Sequence, residues 1–293
     1  MKTATQAPAG ESLFPYSHWN AQIDSLRKRY HEASPFSHAV FENFLVPLAA
    51  EKAAGEFPDL KSSEWIHYVH VNEKKFGKTD SQTFGPTLAA IVEELNSPRF
   101  LQFLKALTGI EGLFADSTLE GGGLHQSPKG GFLNIHADFT IHPHHRDWRR
   151  RVNVLVYLNK DWQENYGGHL ELWDKAMKNQ VHKIAPLLNR CVIFNTDEDA
   201  YHGHPEPLTC PEGTTRKSIA LYYFTKEATP PRIRSTEYKA RPGDGLKGIL
   251  IYCDKMILRI YDRVKRRLNL SDDFASKTLK RIESLKQKFG GKK

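Results

Sequence analysis

The stretch "GGFLNIHADFTIHPHHRD", residues 130–147, decides the fold, because it places four histidines and two aspartates around a short apolar run. Its first half is rich in apolar residues and is typical of a short strand. In a strand, side chains two positions apart point to the same face. His136 and Asp138 can therefore bind one cation together, while Ala137 points to the other side.

A third ligand is expected about sixty residues downstream, in "AYHGHPEPL". His202 and His204 are both candidates, and their spacing alone does not choose between them. Two imidazoles and one carboxylate leave coordination positions open for substrate and oxygen, which is typical of non-haem Fe(II) oxygenases. The tripeptide His-X-Asp is common by chance, so the interpretation depends on the ordered set of residues around it.

The last member of that set is Arg216, in "TRKSIALYYF". Arg216 and Ser218 also stand two positions apart in a run typical of a strand, so they share a face. A guanidinium can bind a small carboxylate through two parallel hydrogen bonds, and a neighbouring hydroxyl can donate a further hydrogen bond to the same carboxylate. The alternative is a solvated arginine at a sheet edge. The order His-X-Asp, His, Arg-X-Ser within one strand-rich region favours the functional interpretation.

The strand-rich region begins near Gly121. It contains six short runs rich in Val, Ile, Leu and Tyr, separated by Gly, Pro, Asn and Asp: "GFLNIHAD", "RVNVLVYL", "HLELW", "VHKIA", "RCVIFN" and "KSIALYYFT". Short strands at roughly regular spacing predict an antiparallel sandwich or barrel. Leu187, Ile193 and Phe194 are then expected in the core.

Helical patterns flank this region. An amphipathic helix is predicted over residues 19–30, a second helix ends at Pro58, and a third helical pattern covers residues 87–107. After Asp244 the pattern is helical again. Residues 254–293 carry 13 Lys or Arg and 5 Asp or Glu, so this tail holds the whole net charge of +8. We predict that residues 245–290 form helices packed outside the sheet with their basic side in water.

Composition restricts the class of protein. With 293 residues and 39% hydrophobic residues the chain can build a sizeable core. No apolar run approaches the length of a membrane span, and the N-terminus lacks the apolar segment of a secretory signal. The three cysteines give no disulfide framework or zinc pattern, so a reduced, cytoplasmic protein is expected. A nucleic-acid partner is not favoured, because a basic helix face is more often simply solvated.

The stretches "GGGLHQSPKGGFLNIHADF", "RRVNVLVYLNKDWQENYGGHLELWD", "NRCVIFNTDEDAYHGHPEPL" and "TRKSIALYYF" resemble the 2-oxoglutarate- and Fe(II)-dependent dioxygenases, in the prolyl-4-hydroxylase-like branch. The resemblance covers roughly residues 35–226. It implies three iron ligands, which are His136, Asp138 and His202. It implies a binding site for 2-oxoglutarate formed by Arg216, Ser218, Tyr157 and Gln126. Gln126 stands where some prolyl hydroxylases carry a tyrosine, so it departs from the family pattern.

The resemblance also implies a fold and an activity. The fold is α+β, with a double-stranded β-helix (jelly-roll) core flanked by helices and a C-terminal helical extension. Three regions are expected: an N-terminal extension over residues 1–34, the dioxygenase domain over 35–228, and a linker with basic helices over 229–293. The activity is hydroxylation of an unactivated C–H, favouring prolyl hydroxylation of a peptide or a free amino acid, with O₂, Fe(II), 2-oxoglutarate and ascorbate as reductant.

Alternatives remain at this stage. The substrate could be another biosynthetic metabolite or a saccharide or lipid precursor. A cupin-type dioxygenase without 2-oxoglutarate is disfavoured by Arg216, and a non-catalytic metal-binding module with a basic tail is disfavoured by the intact ligand set. A polar surface loop is predicted for His142, His144 and His145. The alternative is that this loop lines the mouth of the site and contacts the substrate.

Overall fold

Thirteen strands form one curled antiparallel sheet in the computed structural model, which describes residues 12–61, 65–229, 233–246, 248–252 and 267. The strands are β1 His38–Phe41, β2 Ile66–His70, β3 Glu73–Lys78, β4 Phe114–Ala115, β5 Gly123–Ser127, β6 Phe132–Ala137, β7 Trp148–Tyr157, β8 Leu170–Trp173, β9 Gln180–Ile184, β10 Cys191–Asn195, β11 His202–His204, β12 Arg216–Lys226 and β13 Glu237–Tyr238. All six strands predicted from the sequence are present. The predicted jelly-roll core with flanking helices is confirmed.

The order of the strands in the sheet departs from their order along the chain, because most consecutive strands lie in different halves of the sheet. Its order is β1-β10-β7-β12-β5-β3-β6-β11-β8-β9, with β2 beside β3, β4 beside β12, and β13 beside β6. Strands β7 and β12 form the longest pair. Strands β6 and β11 lie next to each other, so the two histidine-containing segments meet although about sixty residues separate them.

Five helices cover one side of the sheet. They are α1 Tyr16–Asn20, α2 Ile23–Glu32, α3 Pro47–Gly55, α4 Pro86–Asn96 and α5 Pro98–Thr108. Their apolar faces join the main core with β7, β10 and β12, and the aromatic rings of Phe14, Phe44, Phe100 and Phe103 pack there edge to face or tilted. This layer covers the face of the sheet opposite the cavity described below.

The helical pattern over residues 87–107 forms two helices rather than one. The break falls at Ser97, whose hydroxyl accepts a hydrogen bond from the backbone N–H of Phe100 at 3.2 Å and so caps α5. Pro98 then occupies the first turn of α5, where its missing N–H costs nothing. A Ser-Pro pair inside one periodic pattern thus ends one helix and starts the next.

The C-terminal prediction can be compared only in part. Residues 245–246 and 248–252 are helical, with Ile251 buried and Leu246 and Ile249 exposed. The rest of the predicted helices lies outside the described residues, apart from residue 267. Within the described ranges, no helix has the length and apolar character needed to cross a membrane. The three-region division of the chain stays a prediction.

Candidate active site

His136, Asp138 and His202 converge at one end of the β6–β11 pair. The backbone register places His202 opposite His136, and Asp138 follows directly after β6. The Nε2 atoms of His136 and His202 lie 3.5 and 3.6 Å from the carboxylate oxygens of Asp138. One ligand atom from each residue falls within 4.8 Å of the others, which is close enough to share one cation.

The protonation pattern of the two imidazoles suits a metal ion. The Nδ1–H of His136 donates to the backbone carbonyl of Asn134 at 2.9 Å, and the Nδ1–H of His202 donates to that of Ala200 at 2.9 Å. In the neutral ring, the form that binds a metal, Nε2 then carries the lone pair, and both Nε2 atoms face Asp138. Metal-binding histidines in proteins are held by the same kind of hydrogen bond from their other nitrogen. The donor set of two imidazoles and one carboxylate fits Fe(II).

Asp138 is oriented by two residues of β7. Its Oδ2 accepts a hydrogen bond from the amide of Asn153 at 2.7 Å and forms an ion pair with Arg150 at 3.0 Å. Burial alone would raise the pKa of Asp138, but the charge of Arg150 and the nearby imidazoles hold it well below its usual range. The carboxyl is therefore ionised and ready to bind a cation.

Arg150 itself is fixed on every side. Its Nε–H and one terminal N–H donate to the side-chain oxygen Oδ1 of Asn153 at 2.9 and 2.7 Å, and the guanidinium carbon lies 3.4 Å from the ring centroid of Tyr222.

Burial lowers the pKa of His202 to about 4, and His136 adds to this effect, so the His202 ring is neutral near pH 7. Neutral imidazoles are the form that binds metal.

The ligand atoms open into a polar cavity that also contains the predicted carboxylate-binding residues. Arg216 and Ser218, on the same face of β12, both line this cavity, and so does Tyr157 of β7. The guanidinium of Arg216 donates to the carbonyl of Gly168 at 2.7 Å and to the hydroxyl of Tyr157 at 3.3 Å. Its remaining N–H groups are available to a ligand carboxylate.

The structure does not bring Gln126 to the cavity, and this part of the sequence prediction is corrected. Gln126 pairs with Phe76 of β3 on the opposite face of the sheet. Its amide donates to the carbonyl of Pro58 at 3.0 Å and its oxygen accepts a hydrogen bond from Thr215 at 2.5 Å. The neighbours on β5, His125 and Ser127, line the cavity instead.

His204 lies in the cavity but outside the ligand set. Its ring is buried, and its Nδ1 has no hydrogen-bond partner among the described residues. Burial and the nearby charges of Arg216 and Lys75 hold the pKa of His204 well below its usual range. Of the two candidates for the third ligand, the structure therefore brings His202 rather than His204 to Asp138.

The interpretation of the histidine loop is wrong for one of its three members. His142 is buried, packs against Trp148 and Phe224, and hydrogen-bonds Asp116 through Nε2 at 3.3 Å. His144 and His145 are exposed, as expected of a surface loop. None of these three histidines lines the cavity that contains the ligand set.

Sequence reasoning missed several residues of the site. Lys75, Arg150, Asn153 and Tyr222 line the cavity without having been singled out. Gly168 was also missed. Its φ is +70°, and a Cβ there would lie 2.6 Å from Cδ2 of Leu208 and 2.8 Å from Cδ of Arg216. The "GG" pair before β8 was the available signal, because it marks a position where side chains approach the backbone closely.

Comparison with known proteins agrees with this geometry. Residues 122–224 match the family model described as the 2OG-Fe(II) oxygenase superfamily. Prolyl 3-hydroxylase OGFOD1 of Mus musculus is 24% identical over 231 residues, which are 77% of this chain and 38% of that protein. The chain therefore spans well under half the length of this relative.

Two solved structures share the fold. A prolyl-4-hydroxylase of Pseudomonas putida aligns with a TM-score of 0.50 and 19% identity, covering 70% of this chain and all of that one. A prolyl hydroxylase of Trichoplax adhaerens, in complex with a hypoxia inducible factor peptide fragment, aligns with a TM-score of 0.52 and 19% identity, covering 75% and 94%. The stretch that matches the family model contains His136, Asp138, His202 and Arg216, in agreement with the resemblance found in the sequence.

Proposed function

We propose that the protein is an Fe(II)- and 2-oxoglutarate-dependent hydroxylase that acts on a prolyl or proline-like C–H. One observation carries the proposal: His136, Asp138 and His202 converge in the same cavity that holds Arg216 and Tyr157. A metal site and a carboxylate-binding arginine in one cavity are the two requirements of this chemistry.

Each residue has a role that follows from its contacts. His136, Asp138 and His202 would hold Fe(II), which supplies the oxidising chemistry for an unactivated C–H. Asn153 and Arg150 orient the Asp138 carboxylate through their bonds at 2.7 and 3.0 Å.

At the other end of the cavity, Arg216 would bind the far carboxylate of 2-oxoglutarate. The Gly168 carbonyl and the Tyr157 hydroxyl hold its guanidinium in place. Ser218, on the same strand face, would donate a further hydrogen bond.

The proline preference is drawn from the relatives. The mouse relative is named a prolyl 3-hydroxylase and the two structural relatives are named prolyl hydroxylases. The position hydroxylated therefore stays open between carbon 3 and carbon 4. Ascorbate as reductant and a cytoplasmic location stay predictions from the sequence.

The test is a mass-shift assay with Fe(II), ascorbate, 2-oxoglutarate and a panel of proline-containing probes. We expect 2-oxoglutarate to be converted to succinate, with a gain of one oxygen atom in at least one probe. Absence of succinate from metal-loaded, folded protein would refute the proposal. Succinate formation with oxygen added only to probes that lack proline would retain the oxygenase and reject the prolyl substrate.

A further inference from the structure

Residues 233–241 follow the last long strand of the sheet and return to the strand that leads to two of the proposed metal ligands. Within this segment, β13 pairs with β6 in an antiparallel register that places Tyr238 opposite His136. The segment lies beyond the stretch that matches the family model, which ends at residue 224. Part of what contacts the ligand strand thus comes from residues that the family match does not include.

Backbone hydrogen bonds attach this segment to the chain on both sides of the two ligands from β6. The first attachment is the N–H of Lys239, which donates to the carbonyl of Ile135 at 2.8 Å. The second joins Arg234 to Thr140. The N–H of Thr140 donates to the Arg234 carbonyl at 3.2 Å, and the N–H of Arg234 donates to the Thr140 hydroxyl at 3.2 Å. Because both ligands lie between these attachments, the segment holds the backbone from which they project.

Side chains of the same segment reach the loops on either side of β11, which carries His202. The guanidinium of Arg234 lies 2.6 Å from a carboxylate oxygen of Glu198, which precedes β11. The guanidinium of Arg241 lies 2.6 Å from a carboxylate oxygen of Glu206, which follows β11. Partly exposed ion pairs contribute little stability each, but these two connect the β6 side of the site to both ends of the third-ligand strand.

The side chain of Tyr238 contacts a proposed ligand directly. Its ring is buried, and its centroid lies 5.5 Å from that of the His136 imidazole, at an interplanar angle of 38°. The His202 imidazole lies 4.5 Å from the same His136 ring. The Tyr238 hydroxyl donates to a carboxylate oxygen of Glu73 at 3.3 Å, which is longer than a typical hydrogen bond between two oxygens. The ring contact is therefore the stronger constraint that Tyr238 supplies.

This contact restricts a motion that the hydrogen bond of His136 leaves open. The bond from Nδ1 to the carbonyl of Asn134, at 2.9 Å, fixes one edge of the imidazole. A ring packed beside the imidazole limits its remaining tilt, which decides where Nε2 points. No residue of the described part of 233–241 lines the cavity, so the segment acts on the ligands from outside it. Removing a group that orients a metal-binding histidine typically weakens metal binding by about 10- to 100-fold.

We propose that residues 233–241 set the metal-binding geometry of the site, and that Tyr238 is the positioning residue for His136. The inference rests on the metal site of the proposed function and adds to it a part of the chain that supplies no ligand. The backbone of the segment holds β6, its two arginines connect to the flanks of β11, and the Tyr238 ring orients the His136 imidazole.

The test uses Co(II), because it accepts the same kinds of ligand as Fe(II) and its visible absorption depends on coordination geometry. Co(II) is titrated into metal-free, full-length wild-type protein and into variants whose circular dichroism spectra are native. Tyr238→Leu should weaken Co(II) binding by about 10- to 100-fold and change the visible spectrum of the loaded protein. Tyr238→Phe should keep the wild-type affinity and spectrum, because it keeps the ring and loses only the long bond to Glu73.

Tyr16→Leu is the matched control for the loss of a buried tyrosine. Tyr16 is also buried, its hydroxyl donates to the carboxylate of Glu94 at 2.7 Å, and its ring contacts that of Phe14 at 4.8 Å. It belongs to α1, in the helical layer on the face of the sheet opposite the cavity. Tyr16→Leu should lower the melting temperature and leave the Co(II) affinity and spectrum unchanged.

The backbone attachment is tested separately at residue 239. Lys239→Pro removes the N–H that donates to Ile135, whereas Lys239→Ala keeps this N–H and removes only the side chain. We expect the proline variant to weaken Co(II) binding by about tenfold or more, and the alanine variant to bind as the wild type does.

A folded Tyr238→Leu protein with the wild-type affinity and spectrum would overturn the inference, and so would equal Co(II) affinities of Lys239→Pro and Lys239→Ala. If one of the two test variants does not fold, the other decides. A loss of affinity in Tyr16→Leu as large as that in Tyr238→Leu would also overturn the inference, because lower stability would then explain both. Wild-type protein that binds no Co(II) would contradict the metal site of the proposed function itself, so the two failures are distinguishable.

Discussion

Replacing Arg216 with Gln is expected to remove most of the affinity for 2-oxoglutarate. Arg216 is buried, and two of its N–H groups are used by Gly168 and Tyr157, at 2.7 and 3.3 Å. The guanidinium therefore stays in one orientation with N–H groups left for a carboxylate. Losing a buried charge partner of this kind costs about 2–5 kcal/mol. Since about 1.4 kcal/mol is a factor of ten, the dissociation constant should rise by about 30-fold to several thousand-fold.

The assay is calorimetric titration of 2-oxoglutarate into metal-loaded protein without oxygen. Arg151→Gln is the control, because Arg151 lies on β7 and its side chain bonds Thr225 at 3.3 Å, away from the cavity. Arg216→Lys should lie between the two, since it keeps the charge and loses the planar fork. An affinity in Arg216→Gln within threefold of wild type would refute the assignment of the carboxylate to this arginine.

Three further predictions follow from the surroundings of the site. Gly168→Ala should weaken 2-oxoglutarate binding at least tenfold by displacing Arg216. Gly167→Ala is the control, because Gly167 also has a positive φ but a Cβ there meets nothing within 4 Å, so the affinity should not change. Equal losses of affinity in the two variants would mean that backbone strain alone is responsible. Arg150→Met should lower the unfolding free energy of the metal-free protein by about 3–5 kcal/mol in urea denaturation, because Asp138 is left buried without its cation, and an unchanged midpoint would contradict this. Burial alone would raise the pKa of Asp116, but hydrogen bonds from His142 and Thr118 outweigh burial and lower this pKa to about 2. The ionised carboxylate therefore stabilises the fold by about 2 kcal/mol above pH 4, and this stabilisation is lost as the pH falls towards 2. Asp116→Asn should flatten that part of the curve of unfolding free energy against pH, and a curve parallel to that of the wild type would refute the assignment.

The sequence alone predicts which side chains share a face when the residues lie in a single strand. His136 and Asp138, or Arg216 and Ser218, share a face because of strand periodicity alone, and the structure places all four in the cavity. The choice between His202 and His204 as the third ligand requires information on how two strands pair. It depends on the register of β11 against β6, which the spacing of the residues does not give.

Gln126 shows why counting along the chain fails across a turn. Residues 128–131 form a turn between β5 and β6 and contain two adjacent glycines, so the face of a β5 residue cannot be inferred from its distance to His136. A shift by one residue moves a side chain to the other face of the sheet. The cavity therefore contains His125 and Ser127 in place of Gln126.

The β2–β3 hairpin was missed for a different reason. Its second strand, "EKKFGK", is mostly charged, whereas a strand is normally recognised by its apolar residues. The charges face the cavity on one side, where Glu73 and Lys75 pair. The burial of His142 does not follow from its local sequence, because its partners, Asp116 and Phe224, are distant in sequence.

The metal site is tested most directly by measuring Fe(II) binding to the wild type and to four single variants, without oxygen. The wild-type protein should bind on the order of one Fe(II) per chain. His136→Ala, Asp138→Ala and His202→Ala should each abolish Fe(II) binding, and also 2-oxoglutarate turnover in a separate assay with oxygen, while the circular dichroism spectrum stays native. His204→Ala should retain the metal. Loss of Fe(II) in His204→Ala together with retention in His202→Ala would contradict the assignment of the third ligand.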